Sequence, residues 1–167
     1  MSWDEAAYAR VKRADAKGKG ICTKCRHRPA LIKRVQCAHC QMGSIIREAF
    51  KYDRRKNAAG ATAARGSCYV PQFKSDVRVV WVEQVIAKWT GKCCYTGLPI
   101  EIGATASLDH SIPISRAGTF GPCKVYSPEN LVWCHKAVNI LKGERTADEF
   151  RAWLQSELLP SLHAVVS

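Results

Sequence analysis

The apolar positions after residue 76 repeat mainly at helical spacing, with a few short stretches that read as strand. In residues 77–89, valine, isoleucine and tryptophan recur close to the helical period, and Gly91 closes the segment. Frequent β-branched residues leave open whether its first turns form a strand instead. Residues 93–102 read as a tight turn followed by a short strand, and residues 106–115 as a second strand.

The C-terminal part is predicted to contain a strand end and two helices. Residues 130–133 read as the end of a strand, and residues 134–141 as a helix that ends at Gly143. Thr146 and Glu149 have the spacing of a capping box, in which each side chain accepts a hydrogen bond from the other residue's backbone N–H. The helix that they open has a phenylalanine, a tryptophan and two leucines on one face, which is predicted to be buried.

The N-terminal part is richer in charged and small residues. A serine and a glutamate at capping-box spacing start a predicted helix over residues 3–17, and a second helix is predicted over about residues 44–57. Residues 57–67 are small and include glycine, so they read as a flexible linker. This pattern predicts an N-terminal module of residues 1–66 and a second domain of residues 67–167.

The charge is confined to the first of these parts. The chain of 167 residues has a formal net charge of +12. Residues 1–75 hold 17 Lys and Arg against 5 Asp and Glu, whereas residues 76–167 hold 9 of each. This asymmetry favours a module that binds a polyanion, above all nucleic acid, over a basic face that is merely solvated.

The composition predicts a cytoplasmic protein without a membrane partner. No apolar run approaches the roughly 20 residues that span a bilayer, and the N-terminus lacks the apolar region of a secretory signal. In a reducing compartment, the nine cysteines are expected to be thiols and metal ligands more often than disulfides.

Four cysteines form two CxxC pairs, Cys22 with Cys25 and Cys37 with Cys40, separated by eleven residues. Two such pairs can bring four thiolates to one Zn²⁺ ion, and a site closed by four cysteines is structural and not catalytic. The alternatives are buried structural cysteines or a redox pair, although a redox site needs only one CxxC.

The same region holds the basic side chains that we expect to contact phosphates, which position a protein on nucleic acid without reading its sequence. Some lie between the two CxxC pairs, and others crowd the end of the second predicted helix. They are Arg26, Arg28, Lys33, Arg34, Lys51, Arg54 and Arg55.

Four polar residues in the second domain fit metal-assisted hydrolysis of a phosphodiester, which needs oxygen ligands for a hard cation and a separate base for water. Asp109 and His110 are adjacent in a predicted strand, so their side chains point to opposite sides. Asp109 offers a carboxylate oxygen, and Asn139 could bring a second ligand oxygen from the predicted helix. Asn130 could hold the imidazole of His110 in one tautomer.

These residues also carry a resemblance to a known family. The stretch SLDHSIPISRAG followed by ENLVWCHKAVNILKG closely resembles the HNH, or ββα-metal, nucleases over about residues 94–143, and most of all their small phage-borne members. The resemblance implies an α+β fold, with a ββα-metal core preceded by the small basic zinc-binding module and flanked by helices. It also implies a metal-dependent DNA endonuclease, a hydrolase that acts on phosphodiester bonds.

Carried over by position, the resemblance implies a one-metal mechanism. Asp109 and Asn139 would bind Mg²⁺ or Mn²⁺. His110 would be the general base that activates water, and Asn130 would orient His110.

Three further residues are secondary candidates. His135 lies four residues before Asn139 and so on the same helix face, where it could be a third metal ligand, a phosphate contact or an exposed side chain. Arg116 and Lys142 are candidate phosphate clamps and fit solvated surface charges equally well.

The sequence departs from the family at a second zinc site that many members hold with two CxxC pairs. Here the cysteines of the first pair, Cys93 and Cys94, are adjacent and lack the two-residue spacing. In the second pair, Val138 occupies the position where a partner of Cys134 is expected. We therefore expect no second zinc ion, with Cys94 and Cys134 buried as small apolar side chains.

Two other functions stay open. A catalytically silent, zinc-dependent DNA-binding protein would keep the HNH scaffold for its shape alone, and a structural role in phage assembly predicts little dependence of binding on salt. The intact set of four polar residues argues for the nuclease, in the host cytoplasm if a phage encodes it. The target sequence, the number of strands cut and the choice between monomer and homodimer are not specified by the sequence.

Overall fold

The structure, a computed structural model, describes residues 5–31, 34–61 and 75–158. The chain divides into two compact units, Met1–Ser44 and Ile45–Ser167. Within the described ranges, the structure combines helices with one two-stranded antiparallel sheet. The predicted α+β class is therefore confirmed.

The two N-terminal helices resemble the predicted ones but differ in their ends. Helix α1 spans Glu5–Gly18, and α2 spans Ala38–Ala61, starting ahead of the predicted position 44. Residues 57–61 of the expected linker continue α2, because their alanines favour helix over coil. The rest of that linker, residues 62–67, lies outside the described residues.

Helix α3 spans Ser75–Ala87 and is helical from its first turn, so the strand alternative for this segment is wrong. The short strand expected within residues 93–102 is also not formed. The chain makes a turn closed by a single bridge between Lys92 and Pro99. Pro99 has no N–H to donate, and the pairing therefore does not extend into a strand.

The sheet consists of β1, Ala106–His110, and β2, Leu131–His135. Their antiparallel register sets Ala106 opposite His135 and His110 opposite Leu131. Strand β1 ends well before the predicted residue 115. Pro113 lacks a donor for the ladder and serves as the N-cap of a 3₁₀ turn, which stops the strand.

Short helical elements connect the two strands and follow the second. The connection contains the 3₁₀ turn Ile114–Arg116, helix α4 at Ala117–Phe120, helix α5 at Pro122–Val125 and the 3₁₀ turn Pro128–Asn130. After β2 come α6 at Lys136–Lys142, α7 at Ala147–Trp153 and a π-helical turn at Leu154–Leu158. Helix α6 starts later than predicted because β2 continues through His135.

The capping box predicted at the start of α7 is confirmed. The hydroxyl of Thr146 accepts a hydrogen bond from the backbone N–H of Glu149 at 3.3 Å, and the Glu149 carboxylate accepts one from the N–H of Thr146 at 2.8 Å. Two of the unpaired N–H groups at this helix end are thereby satisfied.

The core of the second unit fixes α3 against β2. Trp133 is buried, its indole N–H donates to the carbonyl of Val85 at 2.9 Å, and its ring meets that of Trp89 edge-on at 5.2 Å. Phe150 of α7 is fully buried and meets the ring of Tyr95 edge-on at 5.3 Å. The two-stranded sheet is therefore supported by α3, which precedes it in the chain, and by α7, which follows it.

The cysteines outside the two CxxC pairs differ in burial. Cys134 is buried as predicted, but Cys94 is exposed, and its neighbour Cys93 takes the buried position instead. Cys123 is disulfide-bonded. Across the described ranges, no helix has both the length and the apolar character needed to cross a bilayer.

Candidate active site and zinc centre

The carboxylate of Asp109 is held by two side chains. The Tyr95 hydroxyl donates to Oδ2 at 2.5 Å, and Lys142 Nζ lies 3.2 Å from Oδ1 and 3.1 Å from Oδ2. Asp109 is only 7% exposed. Burial, together with the Asp109 carboxylate, raises the pKa of Tyr95, which keeps the phenol protonated as a donor. The carboxylate is thus fixed in orientation and partly neutralised.

Lys142, which donates to that carboxylate, is itself fully buried on α6. Its ammonium also donates to the backbone carbonyl of His110 at 2.9 Å. A buried charge is tolerated only when it is paired and hydrogen-bonded, and both conditions are met here. The solvated surface charge considered for Lys142 is therefore wrong, because its side chain lies inside the protein against β1.

Asn139 lies on the same helix and contacts the same strand. Its Nδ2 donates to the hydroxyl of Ser107 at 3.1 Å and to the carbonyl of Leu108 at 3.0 Å. Residues two apart on a strand share a face, so Ser107 and Asp109 both face α6. In the described part of the chain, Asn139 Oδ1 has no hydrogen-bond partner and is available as a ligand.

The side chains of Asp109 and Asn139 offer oxygens, the ligand type that a hard divalent cation prefers. An ionised carboxylate has about four acceptor sites, and the three contacts from Tyr95 and Lys142 leave capacity for a metal ligand bond. The Lys142 ammonium opposes this, because a cation at Asp109 would share its carboxylate with a second positive charge. The donor types thus suit a divalent cation, whereas the charge of Lys142 opposes its binding at Asp109.

His110 lies at the end of β1, half-buried beside a cavity of about 400 Å³. The carboxylate residue Asp109 lines the same cavity, so the two adjacent residues border one space. The remaining lining residues are Pro113, Ile114, Ser115, Gly143 and Glu144. The cavity therefore borders both residues of the Asp109–His110 pair.

Glu144 was not singled out from the sequence. It follows Gly143, whose φ of +55° is a conformation that favours glycine, and this turn directs the chain back to the cavity. A single glutamate in a loop gives no signal in the sequence. Tyr95 was also missed as an individual residue, although it lies within residues 94–143, over which the resemblance extends.

Asn130 is buried and bonds to backbone atoms. Its Oδ1 accepts from the N–H of Ile112 at 2.7 Å, and its Nδ2 donates to the carbonyls of Ile112 at 2.9 Å and Val125 at 2.7 Å. The backbone carbonyl of Asn130 accepts from the N–H of Ser111 at 2.8 Å. Asn130 thus fixes the two residues that follow His110, and its amide group also binds the carbonyl of Val125.

The two other secondary candidates lie elsewhere on the domain. His135 is the last residue of β2 and the N-cap of α6, where its Nδ1 accepts from the N–H of Ala137 at 3.1 Å. Arg116 forms an exposed ion pair with Glu149 at 3.5 Å. Neither residue lines the cavity beside His110.

In the first unit, the sulfurs of the four cysteines Cys22, Cys25, Cys37 and Cys40 all lie within 4.8 Å of one another. The sulfurs of Cys25 and Cys37 are 3.8 Å apart. Four thiolates at about 2.3 Å from a tetrahedral Zn²⁺ would be separated by roughly 3.8 Å. The cluster therefore fits a four-cysteine zinc module without a large rearrangement.

Backbone amides prepare these sulfurs for a cation. The N–H groups of Lys24 and Cys25 point at the sulfur of Cys22 at 3.4 and 3.5 Å, and the N–H of Cys40 points at the sulfur of Cys37 at 3.5 Å. Burial opposes ionisation of Cys22, but the backbone N–H groups lower the pKa of its thiol to about 6. Burial and the neighbouring sulfurs raise the pKa of Cys40 to about 12. A bound cation is needed before all four can be thiolates.

The basic residues proposed to contact phosphates are described only in part. Arg26, Arg28 and Arg34 are exposed near the cysteine cluster. Lys33 lies outside the described residues. Lys51, Arg54 and Arg55 lie on α2, and their side chains are not described.

Comparison with protein families identifies the second unit more closely. Residues 93–148 match the family model described as HNH endonuclease, and this segment contains β1, β2, α6 and the cavity. Comparisons with curated proteins and with solved structures find no match to the chain. Residues 93–148 therefore carry an HNH-type domain, similar to endonucleases that act on nucleic acid, and the first unit carries a cysteine cluster that fits a zinc module.

The cysteine cluster predicts a defined zinc content. We expect the purified chain to bind one Zn²⁺ ion, and Cys22→Ser or Cys40→Ser to lose it, because a structural zinc site needs all four ligands. Zinc is measured by elemental analysis after gel filtration, and folding by circular dichroism before and after chelation. Cys94→Ser, which removes an exposed thiol outside the cluster, is the control and should keep its zinc. Full zinc content in Cys40→Ser would contradict the assignment.

The buried ion pair predicts a non-additive effect on stability. We expect Lys142→Met to reduce the free energy of unfolding by about 3–5 kcal/mol, because it leaves Asp109 buried with an uncompensated charge. The double variant with Asp109→Asn should be more stable than Lys142→Met alone. Urea unfolding at neutral pH measures both, with the exposed Lys136→Met on the same helix as control. Equal stabilities of Lys142→Met and Lys136→Met would show that the pair contributes nothing.

Proposed function

We propose that this protein is a metal-dependent DNA endonuclease that hydrolyses phosphodiester bonds by a one-metal HNH mechanism. The observation that carries the proposal is the cavity at the end of β1, which His110 and Asp109 line together inside the segment that matches the HNH family. Asn139 supports it from α6, through its contacts with the same strand. Fold alone would not justify an activity, but this combination of groups does.

In the proposed site, Asp109 and Asn139 hold Mg²⁺ or Mn²⁺ through their side-chain oxygens. When bound, the ion stabilises negative charge on the phosphate and on the leaving oxygen. Tyr95 and Lys142 keep the Asp109 carboxylate in one orientation, so that it presents its remaining acceptor site in a fixed direction. The identity of the ion, Mg²⁺ or Mn²⁺, follows from the resemblance to the HNH nucleases alone.

His110 acts as the general base, taking a proton from water on an imidazole nitrogen. Its backbone is held on the C-terminal side, because its carbonyl accepts from Lys142 and the two following residues bond to Asn130. We therefore propose that Asn130 positions His110 through the backbone, in place of the direct contact with the imidazole that the sequence suggested. The residue lines the cavity in which the proposed reaction takes place.

The substrate is proposed to be DNA, delivered by the basic N-terminal module. Exposed arginines beside the cysteine cluster suit phosphate contacts, which are sequence-independent and weaken with salt. The comparisons give no support for a phage origin. Monomer and homodimer are equally compatible with the proposal, since one such site cuts one strand at a time.

One observation supports a second candidate, the catalytically silent DNA-binding protein. Lys142 already neutralises Asp109 in the structure, and this charge weakens any cation at the carboxylate. The two candidates differ in a simple result: the silent protein would bind duplex DNA and leave it uncut in every divalent metal.

The proposal predicts that the chain nicks supercoiled plasmid in Mg²⁺ or Mn²⁺, and that His110→Ala lowers the cleavage rate by about 10²–10⁴-fold, the usual contribution of a general base. Cleavage is followed on agarose gels, and affinity for a linear duplex by fluorescence anisotropy in EDTA, which should be unchanged. His135→Ala is the matched control, since this histidine lies outside the cavity. Cleavage by His110→Ala at the wild-type rate would remove His110 as the base, and no cleavage by the wild type would favour the silent protein.

A further inference from the structure

We infer that Lys88 is a positioning residue for the HNH site, acting on His110 through the turn that carries Asn130. This inference rests on the proposed function for its effect on catalysis, but its structural part can be tested without any activity. Lys88 follows directly after the end of α3 and lies outside the segment that matches the family model. Nothing in its sequence context distinguishes it from other surface lysines.

The ammonium of Lys88 makes three hydrogen bonds to backbone carbonyls. Its Nζ lies 2.9 Å from the carbonyl oxygen of Pro128, 3.0 Å from that of Glu129 and 3.1 Å from that of Leu131. An ammonium has three N–H donors, so these three contacts use all of them. Carbonyls at the end of a helical turn lack partners within the turn and attract a cation. Lys88 therefore donates to the carbonyls around the end of this turn, one of which, that of Pro128, also accepts from the backbone N–H of Leu131.

The three carbonyls belong to residues that lie just before and just after Asn130 in the chain. The backbone carbonyl of Asn130 accepts from Ser111, and its side chain bonds the N–H and the carbonyl of Ile112. A shift of this turn would therefore move Ser111 and Ile112, which are covalently joined to His110. The path from Lys88 to the base thus consists of hydrogen bonds and adjacent peptide units throughout.

The attachment of α3 explains why Lys88 can hold this position. The indole of Trp133 donates to the carbonyl of Val85, three residues before Lys88, and the ring of Trp89, one residue after it, meets that of Trp133. The backbone on both sides of Lys88 is therefore fixed on β2. A flexible side chain anchored in this way loses less entropy on binding the three carbonyls than one on a mobile segment.

A simple electrostatic role would have a different signature. If Lys88 only attracted DNA, arginine would replace it, since both are cationic. A guanidinium holds its donors in a plane and cannot direct three of them from one atom to three converging carbonyls. Positioning therefore predicts that Lys88→Arg behaves closer to Lys88→Met than to the wild type.

The first test measures amide hydrogen exchange in the full chain by NMR. In Lys88→Met, the N–H groups of Ser111 and Ile112 should exchange about tenfold faster, because the turn that accepts their hydrogen bonds opens more often. The N–H of Phe150, which bonds within α7, is the internal reference and should not change. Lys92→Met, which removes an exposed lysine four residues away, is the matched control. Unchanged exchange at Ser111 and Ile112 would overturn the inference whether or not the protein cuts DNA.

The second test separates positioning from DNA attraction on plasmid substrate. We expect Lys88→Met to lower kcat by about tenfold with KM changed less than twofold, because a base displaced by a fraction of an ångström acts more slowly on DNA bound equally well. Lys88→Arg should restore little of the loss, and Lys92→Met should match the wild type. A raised KM that Lys88→Arg restores would instead assign Lys88 to DNA binding. A wild type that does not cut, with exchange altered as expected, would leave the positioning role intact and refute the nuclease.

Discussion

The hydrogen-bonded ion pair between Lys142 and Asp109 is the interaction on which the geometry of the HNH domain depends. It joins α6 to β1 inside the protein, where neither charge is stable without the other. The same ammonium bonds the carbonyl of His110, so one side chain fixes both the carboxylate and the backbone of the adjacent histidine. Apolar packing alone would hold the helix near the strand but would not set its register, whereas a directional pair does.

The two units obtain their cores in different ways. The second unit buries tryptophan, phenylalanine and several aliphatic side chains, enough to order a small sheet and its helices. In the first unit, the buried cluster consists of Cys22, Cys37 and Cys40, with Cys25 packed against them. Small domains with so little apolar surface usually depend on a metal or on disulfides. Zinc is therefore proposed to act as the core of this unit, so loss of the metal should unfold it and leave the HNH domain folded.

Local signals in the sequence predicted local structure well. The capping box at Thr146 and Glu149 and the spacing of the four cysteines were recognisable because their partners lie within a few residues or follow a fixed pattern. The order of Asp109 and His110 suggested two separate roles, and the structure brings both to one cavity. Strand ends were less predictable, since Pro113 and Pro99 limit pairing in ways that depend on which strand lies opposite.

Contacts between distant residues could not be predicted in the same way. Lys142 looked like any basic residue near a helix end, and only the packing of α6 on β1 shows that it is buried. Asn130 was expected to contact the imidazole, because its spacing matched the family, but spacing does not say which atoms an amide reaches. Lys88 gave no signal at all, since its three acceptors lie 40 to 43 residues further along the chain.

The arrangement around His110 follows a single physical requirement. A general base must be fixed in place while its ring stays accessible to water and to a phosphate. Bonds from Lys142 to the carbonyl of His110, and from Asn130 to the two residues beyond, restrain the backbone on which the ring is carried. In the proposed nuclease, these buried polar groups would position the base through its backbone.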